Sequence, residues 1–186
     1  MPKAAFLDRD GIINMDTGYV YKIEDFLFVP GIFDLCRILI EKDFRIILIT
    51  NQSGIGRGIF TLEDFNHLNQ WMIKQFQEKG VLILKVFFCP HHPTEARGEY
   101  KTVCSCRKPA PGMIFQAREE FRINLNESIL IGDKPTDILA GINAGIPENY
   151  LINPKAFSAN GLNPCKRFSS LLEVTKCLMK SDYVIM

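Results

Sequence analysis

No sign of charge dominates this sequence: 22 lysines and arginines stand against 21 acids, for a net charge of +1. That near-balance leaves no general field to draw in nucleic acid or an anionic membrane surface, so any anion must be bound by locally placed charge. Long hydrophobic runs are missing too. The apolar stretches fall far short of the ~20 residues that cross a bilayer. Even so, 47% of the chain is hydrophobic, enough for a sizeable core. There is no internal repeat and no low-complexity tract. No leader pattern stands at the start, where Met1-Pro2-Lys3 runs into a short apolar stretch and then Asp8-Arg9-Asp10. The expectation is a soluble cytoplasmic protein with neither nucleic-acid nor membrane partner. A length of 186 residues suits one domain, 1–186, with a small insertion.

Cysteine is not scarce, but its placement is uneven. Six cysteines lie at 36, 89, 104, 106, 165 and 177. Three of them fall between residues 89 and 106 together with His91 and His92. Such clustering in a cytosolic chain favours a metal over disulfides. Cys89-x-His91, twelve intervening residues, then Cys104-x-Cys106 offers three sulfurs and one imidazole. That donor set suits tetrahedral, structural Zn²⁺. His92 competes with His91 for the fourth position. The loop 89–108 is rich in proline and polar residues and has little core of its own, so a metal gives it a reason to be ordered. Cys36 sits on a helical apolar stripe and reads as core, whereas Cys165 and Cys177 read as bystanders.

The chain alternates strands with helices. Ala4 to Leu7 reads as the first strand and Phe44 to Thr50, nearly all apolar, as a second that is buried on both faces. Val81 to Phe88, Ser128 to Ile131 and Tyr150 to Ile152 follow as strands. Helices are predicted from Ile32 to about Lys42, from a Thr61 cap to Gly80, over Pro111–Phe121, Thr136–Ala144 and Ser169–Met179. The Thr61/Asp64 pair resembles a capping box. Asn51 to Gly58 reads as a polar, glycine-bearing loop. The pattern predicts an α/β fold with a doubly wound, mostly parallel sheet. No stretch is long enough for a globular cap, so the fold is expected to be capless with a zinc-binding loop insertion.

In such a sheet the chemistry collects where strands end. The first strand ends in Asp8-Arg9-Asp10-Gly11, which alone also reads as a solvated turn. The second ends in Thr50-Asn51-Gln52-Ser53-Gly54, and the fourth in Gly132-Asp133-Lys134-Pro135-Thr136-Asp137. Cys106-Arg107-Lys108-Pro109 lies between the last two. One edge would thus gather carboxylates, a hydroxyl, amides and lysines. Oxygen ligands suit a hard cation such as Mg²⁺, and cations stabilise a transferring phosphoryl group.

These motifs resemble the haloacid dehalogenase-like phosphatases: Asp8-Arg9-Asp10-Gly11, Thr50-Asn51, Lys108 and Gly132-Asp133-x-x-x-Asp137. Within them, four pieces are most similar to the D-glycero-D-manno-heptose 1,7-bisphosphate 7-phosphatase branch. These are Asp16-Thr17-Gly18-Tyr19-Val20, the glycine-bearing Thr50–Gly58 segment, Cys89-Pro90-His91-His92-Pro93 and Cys104-Ser105-Cys106-Arg107-Lys108-Pro109. The resemblance covers about residues 4–150. It implies that Asp8 is the nucleophile and Asp10 the acid and base. Thr50 and Lys108 would hold the phosphoryl oxygens, and Mg²⁺ would bind the Asp8 side chain, the Asp10 carbonyl and Asp133. Zn²⁺ would bind Cys89, His91, Cys104 and Cys106, the branch pattern favouring the first histidine. Arg9, Asp16, Thr17, Gly18, Tyr19, Asn51, Gln52, Ser53, Arg107 and Lys134 would recognise a sugar phosphate. Asp137 would cap a helix or orient Lys134. The activity implied is removal of a sugar phosphate on the route to nucleotide-activated heptose for the lipopolysaccharide core, by an enzyme whose simplest state is a monomer.

Three rivals stand beside it. Histidinol-phosphate phosphatases share a similar zinc loop, but Gly18-Tyr19-Val20 and the longer loop favour the heptose branch. A nucleic-acid 3′-phosphatase shares the Thr-Asn-Gln segment but calls for a basic stripe that is missing here. A zinc-bearing binding module without catalysis would not require the full set of acids and lysines.

Overall fold

The computed structural model describes residues 1–152 and 165–180. Among these, six parallel strands form one sheet in the order β3-β2-β1-β4-β5-β6. The strands are β1 (Lys3–Leu7), β2 (Phe44–Asn51), β3 (Ile83–Cys89), β4 (Ile129–Gly132), β5 (Glu148–Ile152) and β6 (Lys166–Phe168). The helices are α1 (Ile32–Glu41), α2 (Ser53–Arg57), α3 (Leu62–Glu78), α4 (Gly112–Phe121), α5 (Pro135–Asn143) and α6 (Leu171–Lys180).

The apolar strand runs divide between two cores because side chains alternate along a strand. Ala5 and Leu7 of β1 join Ile46 and Leu48 of β2 under α1, α3 and α6. Ala4 and Phe6 join Ile47 and Ile49 under α4 and α5 on the opposite face. Strands covered on both sides cannot alternate apolar with polar, which is why β2 reads as a continuous apolar run. Cys36 is buried in the first core, as its stripe predicts. The last helix, whose partner the sequence left open, packs against α1 through Leu171, Val174 and Leu178.

The chain runs outward from β1 to β3, then returns to β4 on the other side of β1. The direction of winding therefore reverses between β1 and β4. A crevice opens at such a reversal because the two flanking connections leave on opposite faces. Residues Asp8 and Asp133 follow these two strands directly.

Two elements differ from expectation. Residues 53–57, read as loop, form the short helix α2. It can pack closely because a Cβ at Gly56 would lie 2.5 Å from the Pro90 carbonyl, and Gly58 closes the helix at φ 74°. Strand β6 was not foreseen; Lys-Arg-Phe carries no alternating pattern and is extended through its pairing with β5. The Thr61/Asp64 capping box is present as expected. Residues 153–164 and the apolar tail 183–186 lie outside the described residues. No helix among the described residues is long and apolar enough to cross a membrane.

Candidate active site

Asp8 leaves β1 at the sheet edge and is almost fully buried. Its Oδ1 accepts from the Arg9 backbone N–H and from Lys108 Nζ, each at 2.8 Å. Lys108 Nζ also lies 2.8 Å from Asp137 Oδ1 and donates to the Ile49 carbonyl at 2.9 Å. Burial by itself would lower the Lys108 pKa; the carboxylates of Asp137 and Asp8 outweigh it and hold the ammonium above its ordinary value. Asn51 fixes this lysine from below. Its side-chain carbonyl accepts from the Lys108 N–H at 3.0 Å and its amide donates to the Lys108 carbonyl at 3.1 Å.

Asp10 is gripped from three sides. Arg9 donates to it through Nε at 3.2 Å and Nη2 at 2.9 Å, Asn14 through its amide at 3.1 Å, and Gln52 through Nε2 at 2.8 Å. Gln52 Nε2 also lies 2.9 Å from the Thr50 hydroxyl, linking the ends of β1 and β2. Arg9 is 1% exposed and donates to the Val20 carbonyl at 2.8 Å as well as to Asp10. A guanidinium so placed orients Asp10 rather than facing the solvent side of the crevice. Likewise the Asn51 amide is spent on Lys108, and the Gln52 amide on Asp10 and Thr50.

The remaining carboxylates crowd the same crevice. One oxygen each from Asp8, Asp133 and Asp137 lie within 4.8 Å of one another. Burial pushes the Asp8 carboxyl up to about 8; Lys108 opposes the rise and Asp137, Asp133 and Asp10 add to it. Asp133 is pushed up to about 6, again chiefly by burial. The chief cause is shared: burial strips water from the charged carboxylate, and the neighbouring acids add to the rise. Among the described residues Asp133 Oδ1 is buried without a partner, and a Cβ at Gly11 would collide with this carboxylate. An all-oxygen set with an orphaned lone pair, kept open by a glycine, fits a hard divalent cation.

Asp137 does two things that the sequence did not separate. Its Oδ2 accepts from the Lys134 N–H at 2.9 Å and caps α5, while Oδ1 meets Lys108. Beside the crevice a polar cavity of about 230 Å³ is lined by Asp10, Asp16, Tyr19, Gln52, Ser53 and Lys134, among others. Lys134 Nζ pairs with Asp16 Oδ2 at 2.8 Å, and Asp16 also accepts from the Gly18 N–H at 3.1 Å. Gly18 thus contributes backbone to the wall, and Thr17 is exposed beside it.

Beyond β3 the loop brings Cys89, His91, Cys104 and Cys106 together. The Cys106 sulfur is 3.1 Å from that of Cys89 and 3.2 Å from that of Cys104, and His91 Nδ1 is 3.3 Å from Cys106 Sγ. The cysteines are free thiols at distances that one tetrahedral ion would bridge. His92 is used otherwise: its Nδ1 accepts from the Glu95 N–H at 3.0 Å. Arg107 Nη1 donates to the His91 carbonyl at 3.1 Å, so the metal loop holds Arg107 beside Lys108. Asn14 is a functional neighbour that no sequence signal marked, since only the fold of residues 10–14 turns its amide back onto Asp10.

Comparison with known proteins places this geometry. A family model described as HAD-hydrolase-like matches residues 105–148. The chain is 44% identical over 177 residues to the D-glycero-beta-D-manno-heptose-1,7-bisphosphate 7-phosphatase of Helicobacter pylori, covering 94% of this chain and 98% of the relative. It is 41% identical over 174 residues to the D-glycero-alpha-D-manno-heptose-1,7-bisphosphate 7-phosphatase of Campylobacter jejuni, covering 94% and 96%. The chain belongs to the haloacid dehalogenase-like heptose-bisphosphate phosphatase family. Among solved structures, the D,D-heptose 1,7-bisphosphate phosphatase of B. bronchiseptica complexed with magnesium and phosphate matches with a TM-score of 0.84 at 28% identity, over 96% of this chain and 99% of that one. Membership makes the protein a phosphomonoesterase.

Proposed function

We propose that the protein removes the 7-phosphate of D-glycero-D-manno-heptose 1,7-bisphosphate, a step toward nucleotide-activated heptose for the lipopolysaccharide core. The observation that carries the reading is likeness along nearly the whole chain to phosphatases named for this substrate, 44% identity over 94% of the sequence in one case. Relatives are named for both the alpha and beta anomers, so the substrate is the heptose bisphosphate class.

Asp8 attacks the phosphorus in line; the bond to the sugar oxygen breaks and an aspartyl-phosphate forms. Asp10, oriented by Arg9, Asn14 and Gln52, gives its proton to the departing oxygen. It then takes a proton from the water that attacks the aspartyl-phosphate, releasing phosphate and restoring Asp8. Two displacements replace one harder one. The Thr50 hydroxyl and the Lys108 ammonium hold the phosphoryl oxygens, and Arg107 binds the phosphate that stays, a task suited to its planar fork. Asp16, Thr17, Gly18, Tyr19, Ser53 and Lys134 hold the sugar, with Asn51 and Gln52 acting chiefly through Lys108, Asp10 and Thr50. The Asp8 and Asp133 side chains and the Asp10 carbonyl would hold Mg²⁺, which supplies positive charge to the phosphoryl oxygens when bound. Zn²⁺ on Cys89, His91, Cys104 and Cys106 would be structural, since four protein ligands leave no open position.

Phosphate release with Mg²⁺ tests the reading on both heptose 1,7-bisphosphate anomers, histidinol phosphate, a 3′-phosphorylated oligonucleotide and p-nitrophenyl phosphate. A clear preference for one heptose anomer is expected. Preference for another ester would overturn the substrate and keep the Asp8 chemistry. No turnover by the folded, zinc-loaded protein would overturn the enzymatic reading.

A further inference from the structure

Arg57 has no part in the chemistry above, yet its side chain joins two functional loops. It ends α2, the helix that starts beside the polar cavity at Ser53. Its guanidinium lies over the Tyr19 ring, 5.7 Å from the centroid, and forms an ion pair with Glu95 of the metal loop. We propose that Arg57 is a positioning residue that sets Tyr19 as a wall of the sugar cavity and ties that wall to the metal loop. The proposal rests on the reading of this cavity as the sugar-phosphate site.

Tyr19 needs such support. It follows Gly18, at φ 85°, and itself stands at φ 49°, a left-handed conformation that L side chains rarely adopt. A non-glycine residue persists there only where its surroundings hold it. Tyr19 is 43% exposed, so core packing does not hold it. The cation above its face does, through attraction to the ring quadrupole. Arg57 in turn is fixed from the far side. Glu95 is anchored by its N–H on His92 Nδ1 at 3.0 Å, and the Arg97 N–H donates to the Gly56 carbonyl at 2.8 Å. Among the described residues the Arg57 Nε is buried without a hydrogen-bond partner, so the stack and the ion pair are what place this guanidinium. A planar cation can stack and pair at once; an ammonium cannot do both in the same way. Order in the metal loop is thereby passed to a cavity wall made by a segment nearly eighty positions away in sequence.

The test uses the full zinc-loaded protein and the variants Arg57→Gln, Arg57→Lys, Glu95→Gln and Tyr19→Leu. Arg57→Gln is expected to raise KM for the heptose bisphosphate roughly five- to tenfold, the scale of one cation–π contact, with kcat within about twofold. Turnover of p-nitrophenyl phosphate, which lacks the sugar, stays unchanged. Arg57→Lys restores part of the loss. On the Tyr19→Leu background, Arg57→Gln adds no further rise, because coupled residues are non-additive. Amide hydrogen exchange at residues 18–20 without substrate gives a second readout, faster in both Arg57→Gln and Glu95→Gln. Glu95 is a half-exposed surface carboxylate, so its variant serves even if Arg57→Gln folds poorly. A full additive rise on Tyr19→Leu, or unchanged exchange at 18–20, overturns the proposal. A wild-type protein that ignores heptose bisphosphates overturns the substrate reading instead, and the exchange data then decide Arg57 alone.

Discussion

Lys108 shows how much one buried cation can carry at the residue scale. It answers two carboxylates, Asp8 and Asp137, at 2.8 Å each. Replacing it by methionine in metal-free protein leaves both acids buried without their partner, so a stability loss of about 3–5 kcal/mol is expected in urea unfolding. Asp8→Asn should keep the fold and, with the proposed attacking group gone, cut turnover by at least about a thousandfold, measured as phosphate release. The pH dependence has a definite sign. Asp8 and Asp133 are pushed up from 3.8 to about 8 and about 6, so the folded state holds protons that the unfolded chain has released. Stability of the metal-free protein therefore falls as pH rises through this window. The melting temperature should drop with pH, and Asp133→Asn should flatten the slope. Mg²⁺ should raise it more at about pH 8 than at about pH 5, since a cation binds the ionised acids and not the protonated ones. At this scale the acids were legible from their place after apolar strands. The role of Arg9 was not, because a sequence does not tell whether a guanidinium turns inward to Asp10 or outward to substrate.

Elements decide how rigidly these residues are held. Helix α2 lies against the metal loop because Gly56 lets the backbones meet. Gly56→Ala should push the Pro90 segment away and weaken substrate binding more than it slows chemistry, seen as a larger rise in KM than fall in kcat. The metal loop gives the complementary case. Cys104→Ser removes a proposed zinc ligand away from the crevice, yet it should lower activity severalfold and open residues 90–108 to protease, because Arg107 hangs from the His91 carbonyl. Full activity in a zinc-free Cys104→Ser protein would sink that reading. The cysteine–histidine spacing made the loop legible in advance. Helix α2 and strand β6 were illegible, since a five-residue helix and a three-residue strand owe their form to Pro90 and β5 rather than to any period of their own.

Over the whole molecule the controlling fact is the reversal of winding between β1 and β4. Alternating strand and helix patterns, two-sided burial of the strands, the presence of Asp8, Asp10, Thr50 and Asp133 at or near their ends, and Lys108 in the loop after β3 follow from the sequence. Each depends on local periodicity or on residue type next to an apolar run, and both are written in order along the chain. The tertiary structure alone decided which strand ends are neighbours. It gave Lys108 to Asp137 as well as Asp8, turned Asn14 and Gln52 onto Asp10, and set Arg57 between Tyr19 and Glu95. Apart from Asn14 on Asp10, which only a local turn brings together, these contacts join residues far apart in sequence, and which pairs meet is fixed only when the sheet order and the buried charges are satisfied together.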